Sequence, residues 1–335
     1  MANKNIVWIC PGNMAPNCAG QIGDVLVSSA VTKYLKNAKG CEILFITNEI
    51  MKDCIKNTYD NIDVSALHQD ENGLFLGESD LIATREADIT YILRPFGDKE
   101  GNKWQCQLIK NGIGKDKICR IGSLNAFSMD GPHMVSQILE GIGENQHATL
   151  PFPLFKRSSK SSSDTLIGDK GNPDFLVLPF AGGYEKWLPI NILSDLVSEL
   201  KKQGNVLVAG TQFDQEKNPV EWLEYNKEIK RVFSRLIPVT KEEIPYLASL
   251  CKKIYCVDGG MCWVTISGLN WLAVEQKWKE GRYPEITVII GRDNYWNLAP
   301  TAAVWKPLAK FPNRVRQING EQTFRLRDLK IKDIL

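Results

Sequence analysis

Two α/β domains in tandem, each a parallel sheet flanked by helices, are what this sequence predicts. Three observations predict it: short apolar runs that alternate with helical patterns, a polar interruption near the middle of the chain, and glycine-bearing turns where successive strands end. At 335 residues the chain also exceeds the length of about 150 residues that one core usually organises.

The pattern begins with the apolar run Asn5 to Cys10, a Gly/Pro/Asn loop, and then Val25, Leu26, Ala30, Val31, Tyr34 and Leu35 at a spacing near 3.6. That is strand, loop, helix. A second strand is expected over Glu42 to Thr47 with a helix after it, and a third over Asp88 to Leu93 after a poorly defined middle. Lys156 to Asn172 is rich in Ser, Lys and Gly and has almost nothing to bury. The alternation then restarts, with strands at Asp174 to Phe180, Asn205 to Ala209, Lys253 to Val257 and Glu285 to Ile290. Helices are expected at Ile190 to Lys202, Lys241 to Cys251 and Cys262 to Leu272. The expected layout is a first Rossmann-like domain over residues 1–155, a linker or surface loop over 156–172, and a second Rossmann-like domain over 173–335. The charged tail from Arg314 to Leu335 is expected to return toward the first domain. A ligand belongs in the cleft that faces the strand C-termini.

Charge is divided unevenly. The first 155 residues carry 14 basic and 18 acidic side chains and the remainder 27 and 21, so a net charge of +2 hides a basic second half better suited to an anion. No apolar stretch approaches the roughly 18 to 20 residues of a membrane-spanning helix, and Ile6 to Cys10 follows no signal-like charged leader, so a cytoplasmic location is expected. Nine cysteines without a CxxC pair signal neither a disulfide framework nor a zinc site. Cys251, Cys256 and Cys262 are expected on buried elements.

Four clusters fall where strands end. In Leu178 to Pro189 a strand opens through Gly182 and Gly183 onto a helix starting near Pro189, with Lys186 beside the turn. Backbone N–H groups can approach a ligand there without side-chain obstruction, the helix adds its positive end, and the lysine supplies a full charge to a diphosphate. In Gly20 to Asp24, Asp24 is read from spacing alone as an N-cap or first-turn carboxylate, worth roughly 1 kcal/mol. In Val257 to Trp263, Asp258, Gly259 and Gly260 lead into a helix whose amides could hold another part of an anion, while Asp258 could cap that helix or orient the loop. In Ile290 to Trp296, Arg292 either faces phosphate or pairs with Asp293. No GxGxxG, Walker A, HExxH or GxSxG pattern occurs where it would be needed, and His68, His133 and His147 have no partner pattern for metal or triad chemistry.

These residues together resemble glycosyltransferase family 9, the heptosyltransferase family. Gln21-Ile-Gly-Asp24 with the aliphatic helix that follows is similar to the family's first strand-loop-helix. Lys186-Trp-Leu-Pro189 is similar to its Lys-x-Trp-Pro signature, and Asp258-Gly-Gly-Met-Cys-Trp263 to its Asp-Thr/Ser-Gly-x-x-His signature. His133 to Gly143 is similar to the helix that closes the family's first domain. The likeness spans most of the chain and is weakest over residues 60–130.

The resemblance implies a GT-B fold, two Rossmann-like domains facing each other across a cleft, and inverting transfer of a sugar from a nucleotide-diphosphate sugar without a metal or other cofactor. It implies Asp24 as the base that deprotonates the acceptor hydroxyl. Gly182, Gly183, Lys186, Asp258, Gly259, Gly260 and Arg292 would hold the donor; Gly23, Arg94 and Trp104 are the candidates on the acceptor side. The implied acceptor is a cell-envelope saccharide of lipopolysaccharide type, met at the inner face of the membrane by peripheral association. Trp263, where the family has histidine, is either core or a stacking platform for a sugar or base. Two other readings remain at this stage. One is a phage-type enzyme acting on a hydroxylated DNA base, with the seven basic residues of Arg94 to Arg120 tracking phosphates and Phe96 and Trp104 stacking on a base. The other is a nucleotide-sugar binding protein without turnover.

Overall fold

The computed structural model describes residues 3–11, 22–70, 73–93, 98–121, 133–144, 150–156, 171–181, 186–232, 236–290, 308–319, 326 and 329–335. The chain forms two compact units, with the junction between Leu154 and Phe155. Each has its own sheet and its own core.

In the first unit, β1 (Asn5–Ile9) leads to α1 (Ile22–Lys39), β2 (Glu42–Thr47), α2 (Glu49–Thr58) and β3 (Asp63–Ala66). A short antiparallel hairpin follows, β4 (His68–Asp70) with β5 (Gly73–Phe75), then α3 (Glu78–Glu86), β6 (Ile89–Leu93), α4 (Asp98–Lys110), β7 (Ile118–Ile121) and α5 (Met134–Gly141). The main sheet is parallel throughout in the order β3-β2-β1-β6-β7. β1 reads as an unbroken apolar run because both its faces are covered. Val7 and Ile9 point into a cluster with Ile46, Ile92, Trp104 and Leu108, while Trp8 on the opposite face packs 5.3 Å from Tyr91. α5 begins at His133, whose Nδ1 accepts a hydrogen bond from the Val135 amide, so this histidine caps a helix.

In the second unit, β8 (Phe175–Leu178) is followed by α6 (Ile190–Lys201), β9 (Val206–Thr211), α7 (Gln212–Lys217), α8 (Pro219–Val232) and β10 (Leu236–Val239). Then come α9 (Ile244–Leu250), β11 (Lys253–Val257), α10 (Gly260–Glu275), β12 (Glu285–Ile290), β13 (Val315–Asn319) and α11 (Ile331–Ile334). The six strands are parallel in the order β10-β9-β8-β11-β12-β13. α10 is apolar on nearly every side because it is covered on nearly every side. Gly268 on it faces Pro245 of α9 so closely that a Cβ would lie 2.3 Å from the proline ring, and only glycine permits that crossing.

In its described part the tail contributes to the second unit, where Leu326, Leu329 and Ile334 are buried in the core with Leu193, Leu196 and Tyr255. One expectation changes here. The helix expected over Lys241 to Cys251 starts later, at Ile244, because Pro245 lacks an N–H and suits the first turn, not a helix interior. Of the expected linker, only Lys156, Gly171 and Asn172 lie among the described residues.

Candidate functional site

Both sheets are wound outward from a central strand, and each therefore has a point where the connections diverge. In the second unit, β8 is laid down first, β9 and β10 extend to one side, and β11, β12 and β13 to the other. The divergence lies between β8 and β11, at the C-terminal ends where a doubly wound sheet binds its ligand. The turn after β8 carries Lys186; the turn after β11 carries Asp258, Gly259 and Gly260.

The β8 turn is pinned on both sides. Leu188 donates its amide to the Pro179 carbonyl at 2.9 Å, and the Trp187 indole Nε1 donates to the Ala181 carbonyl at 2.9 Å. Tyr225 on α8 donates its hydroxyl to the Leu188 carbonyl at 2.6 Å. Phe180, Trp187, Trp222 and Tyr225 pack ring against ring behind these bonds. Lys186 thus leaves the backbone from a fixed base and is half-buried. Gly182 and Gly183, between the pinned ends, lie outside the described residues.

The β11 turn presses against the β8 turn. A Cβ on Gly259 would sit 2.8 Å from the Cβ of Ala181, closer than real side chains approach. The backbone at Gly259 is extended, so glycine is required there by space and not by conformation. Gly259 is also the N-cap of α10, and it has no side chain to cap with; Asp258 stands one residue ahead of the cap, with its amide donated to the Ile289 carbonyl at 2.9 Å. Of the two readings of Asp258, helix cap or loop orienter, the N-cap position itself belongs to Gly259.

α6 and α10, the helices that follow the two strands at the divergence point, start in the same way. Neither has a side-chain N-cap bond and neither has an acid in its first turn. Their first amides and their positive ends therefore offer donors and charge to an anion. In the same unit α7 differs, starting with a closed capping box in which Thr211 and Asp214 satisfy each other. α9 also starts without a side-chain cap bond, but it follows the edge strand β10, away from the divergence point. Sequence reasoning passed over Thr211 and Asp214, although Thr-x-x-Asp just past an apolar strand is a capping signature. Their side chains are spent on each other.

In the first unit, β1 is likewise central and the divergence falls between β1 and β6. Asp24 is the third residue of α1, the helix that follows β1, and is 7% exposed. A carboxylate in the first helical turn is held by the helix's positive end. Gly23 precedes it, half-buried. Ser28, Ser29 and Thr32 continue a buried polar strip along α1. Ser29 donates to the Tyr59 hydroxyl at 3.2 Å, and that hydroxyl also accepts from the Leu154 amide at 3.0 Å, so the α1 strip is tied to the last residue of the unit.

Trp104 is not part of an acceptor surface. It is fully buried among Val7, Ile9, Leu108 and Ile113, its i,i+4 neighbour Leu108 marking the apolar face of α4. With no ring face available, it cannot stack on a base, and the DNA reading loses one of its two aromatics. Trp263 is also core, 5% exposed in the first turn of α10. Arg94, Phe96 and Arg292 lie outside the described residues, and no group of three or more potential metal ligands occurs among those described. No described helix is long and apolar enough to cross a membrane.

No protein-family model matches the chain, and no curated protein matches it in sequence. Solved structures do. ADP-heptose lipopolysaccharide heptosyltransferase II of E. coli superposes with a TM-score of 0.62 at 15% identity, over 99% of this chain and 96% of that one. A family 9 glycosyltransferase from Veillonella parvula DSM 2008 gives 0.67 at 12% identity, over 100% and 96%. The E. coli heptosyltransferase WaaC with ADP gives 0.57 at 10% identity, over 98% and 97%. At these identities the likeness establishes the fold, which is the heptosyltransferase-like GT-B fold.

Proposed function

We propose that this chain, built on the heptosyltransferase-like fold, is a glycosyltransferase that moves a sugar from a nucleotide-diphosphate sugar to an acceptor hydroxyl. The observation that carries the reading is the pair of uncapped helix starts, α6 and α10, at the divergence of the six-stranded sheet with Lys186 beside them. A diphosphate leaving group needs positive charge and N–H donors fixed in advance, and this is where the second unit supplies both.

Asp24 takes the proton from the acceptor hydroxyl as the oxygen attacks the anomeric carbon. The bond to the diphosphate breaks on the opposite side, so one displacement inverts the configuration. Charge arriving on the diphosphate is taken up by Lys186, by the amides at Gly259 and Gly260, and by Gly182, Gly183 and Arg292. The reading assigns that neutralisation to protein groups and needs no metal ion. An aspartate is a weak base, so its contribution depends on close placement against the hydroxyl. The acceptor we propose is a cell-envelope saccharide of lipopolysaccharide type, approached at the membrane's inner face. The support for a lipopolysaccharide-type acceptor is one fold relative whose printed name is ADP-heptose lipopolysaccharide heptosyltransferase II.

Thermal shift against ADP, UDP, GDP and CDP, each with its sugar conjugates, tests the reading. One nucleoside diphosphate is expected to stabilise the protein at concentrations that leave the others without effect. A flat response across the panel overturns it.

A further inference from the structure

We propose that Cys256 and Cys262 are a disulfide-forming pair that, once oxidised, staples the strand-to-helix turn between them. Cys256 is the last but one residue of β11 and Cys262 the third residue of α10; their sulfurs lie 3.4 Å apart. Between them runs the turn that contains Asp258, Gly259 and Gly260. A disulfide bond is about 2.05 Å long, so closing the gap takes a movement of about 1.4 Å. No described cysteine is in a disulfide.

Both side chains are buried in one apolar cluster with Ile254, Ile266 and Val288. The bond to Cys256 holds the Cys262 thiol well above its usual range, and burial and the charge of Asp258 add to this. The Cys262 thiolate is suppressed in the closed fold and both sulfurs are buried, so oxidation waits on opening of the turn and is slow. The same burial shields the product, because a neutral disulfide is at home in an apolar core and a reductant's thiolate is not.

The chemistry balances with hydrogen peroxide as oxidant. One thiol attacks the peroxide: the O–O bond breaks, an S–O bond forms and water leaves, giving a sulfenic acid. The second thiol attacks that sulfur: the S–S bond forms, the S–O bond breaks and a second water leaves. Two protons and two electrons pass from the thiols to the peroxide. The bridge leaves only five residues between its ends, so it removes freedom from the turn and from little else. The inference is independent of the sugar-transfer reading, since the turn is gripped whether or not it binds a diphosphate.

The test treats the full folded chain with hydrogen peroxide at a dose that fully oxidises the exposed Cys106, then alkylates under denaturing conditions, digests, and weighs the peptides. The expected product is a peptide carrying Cys256 and Cys262 unalkylated and lighter by two hydrogens, restored by a reductant. Hydrogen exchange at the amides of the turn is expected to slow by roughly tenfold in the oxidised protein. Cys256→Ser, with Cys262→Ala as a second variant should the first not fold, is expected to remove both changes. Recovery of both cysteines alkylated while Cys106 is oxidised overturns the proposal. So does pairing of either with a different cysteine, or a bridge that leaves exchange in the turn unchanged.

Discussion

A Cβ on Gly259 would lie 2.8 Å from the Cβ of Ala181, and that contact joins the turns after β8 and β11. The neighbour on the far side is a methyl attached to backbone, which cannot swing aside. Gly259→Ala is therefore expected to push the two turns apart at a cost of about 1 to 3 kcal/mol, as overpacking usually does. Nucleotide affinity should fall with it. The check is a denaturation curve together with a binding isotherm; an unchanged isotherm would separate this contact from the ligand site.

Lys186 supplies the full charge in the proposed cradle. Lys186→Ala is expected to weaken binding of the preferred nucleoside diphosphate by about 10- to 100-fold, the size of a lost charge-assisted hydrogen bond. Binding of the matching nucleoside without phosphates should hardly move. Calorimetry on both ligands makes the comparison, and equal losses on the two would point to a damaged fold in place of a lost phosphate contact.

Asp24 divides chemistry from binding. Asp24→Asn keeps the shape of the side chain and removes its basicity, so turnover is expected to drop by about 100- to 10,000-fold, the range of general-base contributions. Donor affinity should stay at the parent value. Turnover at the parent rate would fall against Asp24 as the base.

Much of this was legible in the sequence, and the reasons are physical. β1, β8, β9, β11 and β12 are covered on both faces and so appear as continuous apolar runs. Strands at the sheet edges do not have that signature. β10 holds Pro238, which a strand tolerates at an edge, and β13 reads Val-Arg-Gln-Ile-Asn. Lys186, Asp258 and Gly259 stood out because glycines and charge follow apolar strands. Trp104 misled because it lies in a basic segment, and the i,i+4 match to Leu108 that marks it as core was outweighed by the neighbouring lysines. The contrast between capped α7 and uncapped α6 and α10 needed coordinates, since a cap is defined by which amide a side chain meets.

Tyr59 gives a prediction in pH. Its hydroxyl accepts from the Leu154 amide at 3.0 Å and from Ser29 at 3.2 Å, and burial pushes its pKa from the ordinary 10.0 up to about 12. The raised value belongs to the folded state, so the neutral phenol is favoured there. Its stabilising contribution is whole below pH 10, where the unfolded chain's tyrosine is also neutral. It is lost as the pH climbs through the interval up to about 12, because the unfolded state releases its proton first. Over two pH units that amounts to roughly 3 kcal/mol. Tyr59→Phe is expected to cost about 1 to 2 kcal/mol at neutral pH through the lost hydrogen bonds. It should also make alkaline stability fall less steeply. Tyr91 and Tyr283 are raised by burial as well and remain in both proteins, so the difference between the two denaturation series isolates Tyr59. Parallel curves from pH 9 to pH 12 would mean that the Tyr59 phenol already meets solvent in the folded protein.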